Sequence, residues 1–181
     1  MTSFARAALT IRTLRHDDPY KIAAAFAAQG WHKPAAQYVH YFAEQEAGDR
    51  SVLVAEVGGA FAGYLTIVWQ SHYPPFRAQA IPEIVDLNVL SAWQRRGIAS
   101  ALLDAAEAQI AARSAVAGIG VGMTGDYGAA QILYVRRGYL PDGRGLASNG
   151  KTVHFGDVIV LDDELALYLT KAVGTETERS T

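Results

Sequence analysis

The sequence predicts an α/β (α+β) protein, a single domain in which a mixed, mostly antiparallel sheet is flanked by helices. Three observations predict it. Short runs rich in Val, Ile, Leu and Tyr alternate along the chain with stretches whose apolar residues recur every three or four positions. Gly58-Gly59-Ala60 lies between two of those runs as a hairpin signal. Half of the 181 residues are hydrophobic, enough to fill a core without covalent staples.

Residues 8–14 alternate well enough for a strand, and Asp17 or Asp18 then caps a helix that carries Pro19 at its start and ends before Gly30. Pro34 opens a second helix through Glu46, where Tyr38, Tyr41 and Phe42 fall at helical spacing and Gly48 closes it. Residues 51–57 and 61–69 are the two strands of the hairpin. Residues 70–80, with Pro74-Pro75 inside and Pro82 beyond, read as a long aromatic loop before a strand resumes at 84–90.

Residues 97–113 are helical, with Ile98, Leu102, Ala105, Ala106, Gln109 and Ile110 forming a mainly apolar stripe. A small-residue strand at 116–123, a helix at 126–137 ended by Gly138, a further strand at 139–146 and a last strand region at 158–170 complete the order β-α-α-β-β-β-α-β-α-β-β. Residues 172–181 are polar and lack periodicity, so they read as a flexible tail behind a domain of residues 8–171.

Composition removes several classes of function. The absence of cysteine excludes a disulfide framework, a thiolate metal site and a cysteine nucleophile. Residues 1–6 lack the apolar stretch of a secretory signal, and no later run approaches the roughly 18 apolar residues of a membrane span, so a cytoplasmic protein with no membrane partner is expected. A formal charge of -2 offers no global field for a nucleic acid backbone. His32 and His40 stand eight apart with no completing acidic or histidine pattern, so no metal is expected.

The chemistry concentrates at residues 94–100, between the strand at 84–90 and the helix that follows. Backbone N–H groups of Arg95, Arg96, Gly97, Ile98, Ala99 and Ser100 lie at the positive end of a helix dipole and make an anion cradle. Gly97 leaves room for backbone to approach a phosphate, Ala99 keeps the turn slim, and Arg95 and Arg96 add local positive charge. No Gly-Lys-Ser/Thr follows and the dinucleotide glycine triplet is missing, so a pyrophosphate outside the Walker and NAD patterns is the better fit.

Gln94-Arg95-Arg96-Gly97-Ile98-Ala99 resembles the acetyl-CoA loop, Gln/Arg-x-x-Gly-x-Gly/Ala, of the GCN5-related N-acetyltransferase superfamily. Downstream, Ala130-Gln131-Ile132-Leu133-Tyr134-Val135-Arg136-Arg137-Gly138-Tyr139 is similar to that family's Ala-x-x-Leu-Tyr-x-x-x-Gly-Phe/Tyr segment, and the element order is also the family's.

The resemblance implies acetyl-CoA as co-substrate, with Gln94 to Ser100 on the pyrophosphate and the backbone of Leu87, Asn88 and Val89 against the acetyl and pantetheine portions. It implies Tyr134 as general acid, a role that chemistry supports: CoA leaves as a thiolate of pKa about 8.5, and a phenol of pKa about 10 can return a proton. Seven residues earlier, where many members carry an asparagine on the cofactor, this chain has Tyr127. Glu83 lies fourteen residues before Gly97, at the spacing of the general base in the histone acetyltransferase branch, with Asp86 as its competitor. A primary amine of pKa about 10.4 must lose a proton before it can attack a thioester. Residues 118–122, where other branches place a glutamate, offer no acid.

The implied activity is transfer of acetyl to a primary amine of a small molecule or peptide by direct attack in a ternary complex. The alternatives are a CoA-binding module without turnover and an acyltransferase for longer acyl-CoA. Trp31, His32, Tyr38, His40 and Tyr41, with Trp69, His72, Tyr73 and Phe76, could line the acceptor pocket or could equally be core and cap. His154 lies in a loop on the same side, and the apolar residues 165–169 could pair in a homodimer or belong to a monomer.

Overall fold

The protein's structure, a computed structural model, describes residues 8–174. Its elements are β1 (Leu9–Thr13), α1 (Asp18–Ala28), α2 (Ala35–Ala47), β2 (Arg50–Val57), β3 (Ala60–Val68), α3 (Pro74–Ala78) and β4 (Glu83–Val89). These are followed by α4 (Ile98–Ala111), β5 (Val116–Gly122), α5 (Gly128–Arg136), β6 (Leu140–Ser148), β7 (Lys151–Thr152) and β8 (Leu165–Ala172). The strand order is β1-β2-β3-β4-β5-β8-β6-β7. The sheet is mostly antiparallel, with β4 and β5 the parallel pair.

The described residues form two compact units, one within residues 8–67 and 86–106 and the other within residues 68–85 and 107–174. In the first unit, β2 and β3 are joined through Gly58 and Gly59, both at positive φ, as a tight reversing turn requires. α1 and α2 cover the sheet with Leu14, Ile22, Phe26 and Tyr38 packed against Val52, Val54 and Tyr64. α1 starts without a side-chain cap bond from Asp17. Asp18 instead takes the Arg15 N–H at 2.7 Å and the Arg12 guanidinium, tying β1 to the helix start.

In the second unit, β8 pairs antiparallel with β5 from Val116↔Ala172 to Gly122↔Ala166 and with β6 on its other side. Gly118, Gly120 and Gly122 alternate along β5 and so share one face. A Cβ at Gly118 would meet Phe76 at 2.3 Å, one at Gly120 would meet Tyr168 at 3.2 Å, and one at Gly122 would meet Tyr127 at 2.5 Å. Three missing side chains thus seat three aromatic rings.

Four expectations change. The loop at 70–80 contains α3, because Pro74 and Pro75 occupy the first helical positions, where a missing N–H costs nothing. The last strand begins at Leu165, not 158: Val158, Val160 and Leu161 are well exposed and β8 finds its partners only beyond them. β8 uses both edges within the chain, so residues 165–169 are not a free edge. The strand runs through Ala172, and Val173 N–H donates to Ala115 O at 2.8 Å, inside the segment expected as tail. Residues 175–181 of that tail lie outside the described residues.

Candidate active site

In the first unit, a 3-10 turn at Ser91–Trp93 leads into Gln94, whose Nε2 donates to Val89 O at 3.2 Å and ties the loop to the end of β4. Ser91 N–H donates to Gln29 Oε1 at 2.9 Å, fastening the turn to α1. Arg95 (φ 58) and Gly97 (φ 83) are both left-handed. Backbone that alternates in hand turns successive N–H groups into one concavity, an anion nest.

The Ala101 N–H bonds to Gly97 O at 3.0 Å, so the N–H groups of Ile98 and Ala99 belong to the first turn of α4 and point out of the helix start. Nothing lies within 4 Å of the place a Gly97 Cβ would take, and Gln94 to Gly97 are exposed. The residues present fit an anionic group: open N–H donors, two arginines and the positive end of a 14-residue helix. The loop needs Gly97 for its handedness as well as for its lack of bulk.

β4 carries a break in the same unit. Asp86 is left-handed (φ 56), an uncommon state for a non-glycine residue that marks an irregularity in the strand. β4 pairs with β5 at Glu83↔Gly118 and Ile84↔Ile119, before that break. Leu87, Asn88 and Val89 follow half-buried. Gly63 on β3 lets their backbone close in, since a Cβ there would lie 2.6 Å from Asn88 O and 3.0 Å from Val89 Cα. The Tyr41 hydroxyl donates to Asp86 Oδ2 and accepts from Gln37 Nε2 at 3.0 Å. Burial, and then the Asp86 charge, push the Tyr41 and Tyr64 hydroxyls well above the ordinary phenol range.

In the second unit, Glu83 is buried at 7% exposure. Its Oε2 accepts from the Ser71 hydroxyl, and Ser71 Oγ accepts the Tyr73 N–H at 2.9 Å. Its Oε1 lies 3.6 Å from where a Gly120 Cβ would stand. Tyr168 rests over the same glycine, its hydroxyl pushed up by burial and then by the Glu83 charge. The rings of Tyr73 and Tyr168 stack with centroids 3.6 Å apart. The Tyr73 hydroxyl donates to Asp142 Oδ2 at 3.0 Å and is pushed up to about 12, first by burial and then by that carboxylate.

Tyr134 also stands in this unit. Gly138 (φ 87) ends α5, and Tyr139 N–H turns back to Tyr134 O at 3.0 Å, which buries the Tyr139 ring beside Tyr134. The Tyr134 hydroxyl makes no hydrogen bond among the described residues and is pushed up to about 12, first by burial and then by Tyr127. Tyr127 sits over Gly122, and its hydroxyl donates to Asp163 Oδ1 at 3.0 Å.

The expected acceptor residues divide. Tyr38, Tyr73 and Phe76 are core residues. Trp31 stacks on Phe26, while Trp69 lies under the Arg113 guanidinium at 4.0 Å. His32 and His72 are exposed, His40 pairs with Glu44 at 3.5 Å, and His154 Nδ1 lies 3.7 Å from Asp157 Oδ2. Ser71, Tyr168 and Asp142 went unread in the sequence because nothing in the local pattern marks a residue that reaches a site from another strand or a loop. No group of three or more His, Asp or Glu suited to a metal occurs among the described residues. No helix there is long and apolar enough to cross a membrane.

Solved structures share this architecture. An N-acetyltransferase from Staphylococcus aureus Mu50 is 18% identical with TM-score 0.67, over 92% of this chain and 99% of its own. The yncA protein of Salmonella typhimurium, solved with its cofactor acetyl-CoA, is also 18% identical with TM-score 0.67, over 96% and 99%. The ribosomal-protein-S18-alanine N-acetyltransferase of Escherichia coli is 14% identical with TM-score 0.64, over 96% and 99%. Likeness at these identities speaks for the fold. No curated protein sequence matches the chain. The model of the acetyltransferase (GNAT) family matches residues 12–139, from β1 through the nest at Arg95 and Gly97 to Tyr139, and the chain therefore belongs to the GNAT family of acetyltransferases.

Proposed function

We propose that this protein is an acetyl-CoA-dependent N-acetyltransferase that passes acetyl to a primary amine of a small molecule or peptide by direct attack in a ternary complex. The observation that carries the reading is the nest at the start of α4, where left-handed Arg95 and Gly97 aim N–H groups at an open space. Gln94, Arg95, Arg96, Gly97, Ile98, Ala99 and Ser100 would hold the pyrophosphate, and the backbone of Leu87, Asn88 and Val89 the pantetheine arm. When bound, acetyl-CoA supplies the activated acyl group.

Glu83 takes the proton that the acceptor amine must shed, directly or through water, and Ser71 fixes its carboxylate. Tyr134 offers its hydroxyl to the sulfur. At about 12 it is a weaker acid than a free phenol, so it serves as a hydrogen-bond donor to the developing thiolate more than as a source of a fully transferred proton. Tyr127, at the position where many members of the family carry an asparagine, is near enough to raise the Tyr134 hydroxyl further, and it would contact the cofactor from there. Acetyl-CoA is an intracellular metabolite, so a cytoplasmic site of action belongs to the same proposal.

The test is free-thiol release from acetyl-CoA against a panel of amines, with the product read by mass. Acceleration by an acceptor supports transfer. Tight CoA binding without acceleration by any amine would leave a CoA-binding module, and faster release from a longer acyl-CoA would reassign the donor.

A further inference from the structure

Glu83 is placed to accept a proton, yet it is only 7% exposed and its Oε2 is engaged by the Ser71 hydroxyl. An acceptor amine arrives from water as an ammonium ion, and following a carboxylate into the core would strip that ion of its hydration. A group that stands between the carboxylate and the solvent answers the difficulty, and the second unit holds one.

Tyr168 on β8 is the cross-strand partner of Gly120 on β5. Its Cε1, one bond from the carbon that bears the hydroxyl, lies 3.2 Å from the place a Gly120 Cβ would take, and Glu83 Oε1 lies 3.6 Å from the same point. Gly120 therefore puts no side chain between phenol and carboxylate. The Tyr168 ring is held in place by its stack on Tyr73 and by Phe76, edge-on with centroids 5.5 Å apart. Tyr73 is itself fixed at both ends, because its N–H donates to Ser71 Oγ and its hydroxyl to Asp142. Ser71 thus orients both the base and the plate on which Tyr168 rests.

Where Glu83 is buried, Tyr168 is half-buried, and its hydroxyl makes no hydrogen bond among the described residues. Burial first, and then the Glu83 charge, hold its proton on above the ordinary phenol range, with Glu164 and Asp142 adding to the same effect. Three carboxylates that bear on one neutral hydroxyl make a field that draws an ammonium ion toward it.

We propose that Tyr168 is a further catalytic residue, which relays the proton of the acceptor amine to Glu83. The amine N–H bond breaks as its proton passes to Tyr168 Oη. The phenol O–H bond breaks as its own proton passes, directly or across one water, to the Glu83 carboxylate. The lone pair left on nitrogen is then free to attack the thioester carbonyl. Tyr168 ends as it began, and Glu83 ends protonated. Because the phenol holds its proton firmly, the two transfers are concerted and no phenolate forms. This proposal rests on the N-acetyltransferase reading with Glu83 as base.

The test uses the full chain, acetyl-CoA and the best acceptor of the amine panel. Tyr168→Phe keeps the stack on Tyr73 and lowers kcat/KM for the acceptor about tenfold or more, while KM for acetyl-CoA moves by less than about twofold. Relay and base serve one step, so their losses overlap: Tyr168→Phe added to Glu83→Gln lowers the rate by less than about threefold further. Gly120→Ala, which inserts a methyl between the two groups, gives a loss with the same overlap by a second route. Tyr73→Phe removes the other hydroxyl of the stack and measures what altered packing alone does. Wild-type activity in Tyr168→Phe, losses that multiply in the double variant, or an equal loss in Tyr73→Phe overturns the relay. Wild-type activity in Glu83→Gln removes base and relay together but leaves the transferase. Failure of every amine to release thiol with the wild type sinks the enzyme reading, and the relay with it.

Discussion

Tyr134 and Glu83 are both buried, and burial does different things to them. For Tyr134 it removes water from the neutral hydroxyl without giving it a partner, so the donor waits for an acceptor. Tyr134→Phe is expected to lower kcat by about 10–100-fold while KM for acetyl-CoA moves by less than about twofold, in steady-state assays at saturating acceptor. Because its hydroxyl titrates near 12, Tyr134 should add no limb to the pH profile between neutrality and pH 10.

Glu83→Gln is expected to lower kcat/KM about 100-fold near neutral pH. Without a base, the rate should then climb with pH toward the acceptor's own pKa, as the free amine becomes available. A variant whose profile keeps the wild-type shape would assign proton acceptance elsewhere. The role proposed for Tyr134 is read from a contiguous motif in the sequence. The support for Glu83 is not, since Ser71 comes from the loop before α3, twelve residues upstream.

At the scale of elements, β5 is a strand that positions other residues by what it lacks. Gly118 admits Phe76, and the ring is also held edge-on against Tyr73 and Tyr168, with centroids 5.0 and 5.5 Å away. Gly118→Ala is expected to cost about 2–3 kcal/mol, read as a lower urea midpoint at unchanged slope, because an inserted methyl has no path for the ring to retreat. Glu83 Oε1 lies 3.6 Å from where a Gly120 Cβ would stand, so a larger side chain at that point of β5 would crowd the carboxylate. The run of glycines and the acid on β4 are therefore two sides of one arrangement.

Which elements are legible follows the same physics. α4 shows itself by its apolar stripe, and the β2–β3 hairpin by Gly58-Gly59. α3 hides because two adjacent prolines read as a break, although a helix start tolerates them. Residues 158–161 have strand composition, but pairing depends on a neighbour with a free edge, which composition cannot show. The left-handed Arg95 leaves no trace at all, since arginine has no preference for that conformation.

Across the whole molecule, seven of the nine tyrosines have hydroxyls held above the ordinary range, with burial the largest cause in every one. Unfolded, each would ionise near 10; folded, each keeps its proton to higher pH, so the native state binds more protons in that window. Stability is then full below pH 10 and is lost as pH rises beyond it. Thermal melting followed from pH 8 to about 11.5 should fall steeply above pH 10, with most phenolate absorbance appearing together with unfolding. Early, gradual ionisation of the buried set in a still-folded protein would contradict this.

The place of β8 bears on how the protein is made. It lies between β5 and β6, yet it follows both of them in the chain and leaves the ribosome after them. At about 5–20 residues per second, β5 waits on the order of seconds for the partner that covers its edge. During that interval the edge carrying Ile119 and Val121 stays bare in the nascent chain. A chain terminated before Leu165 lacks a central strand rather than an appendage, so premature stops in this region yield material for proteases and chaperones instead of partly active enzyme.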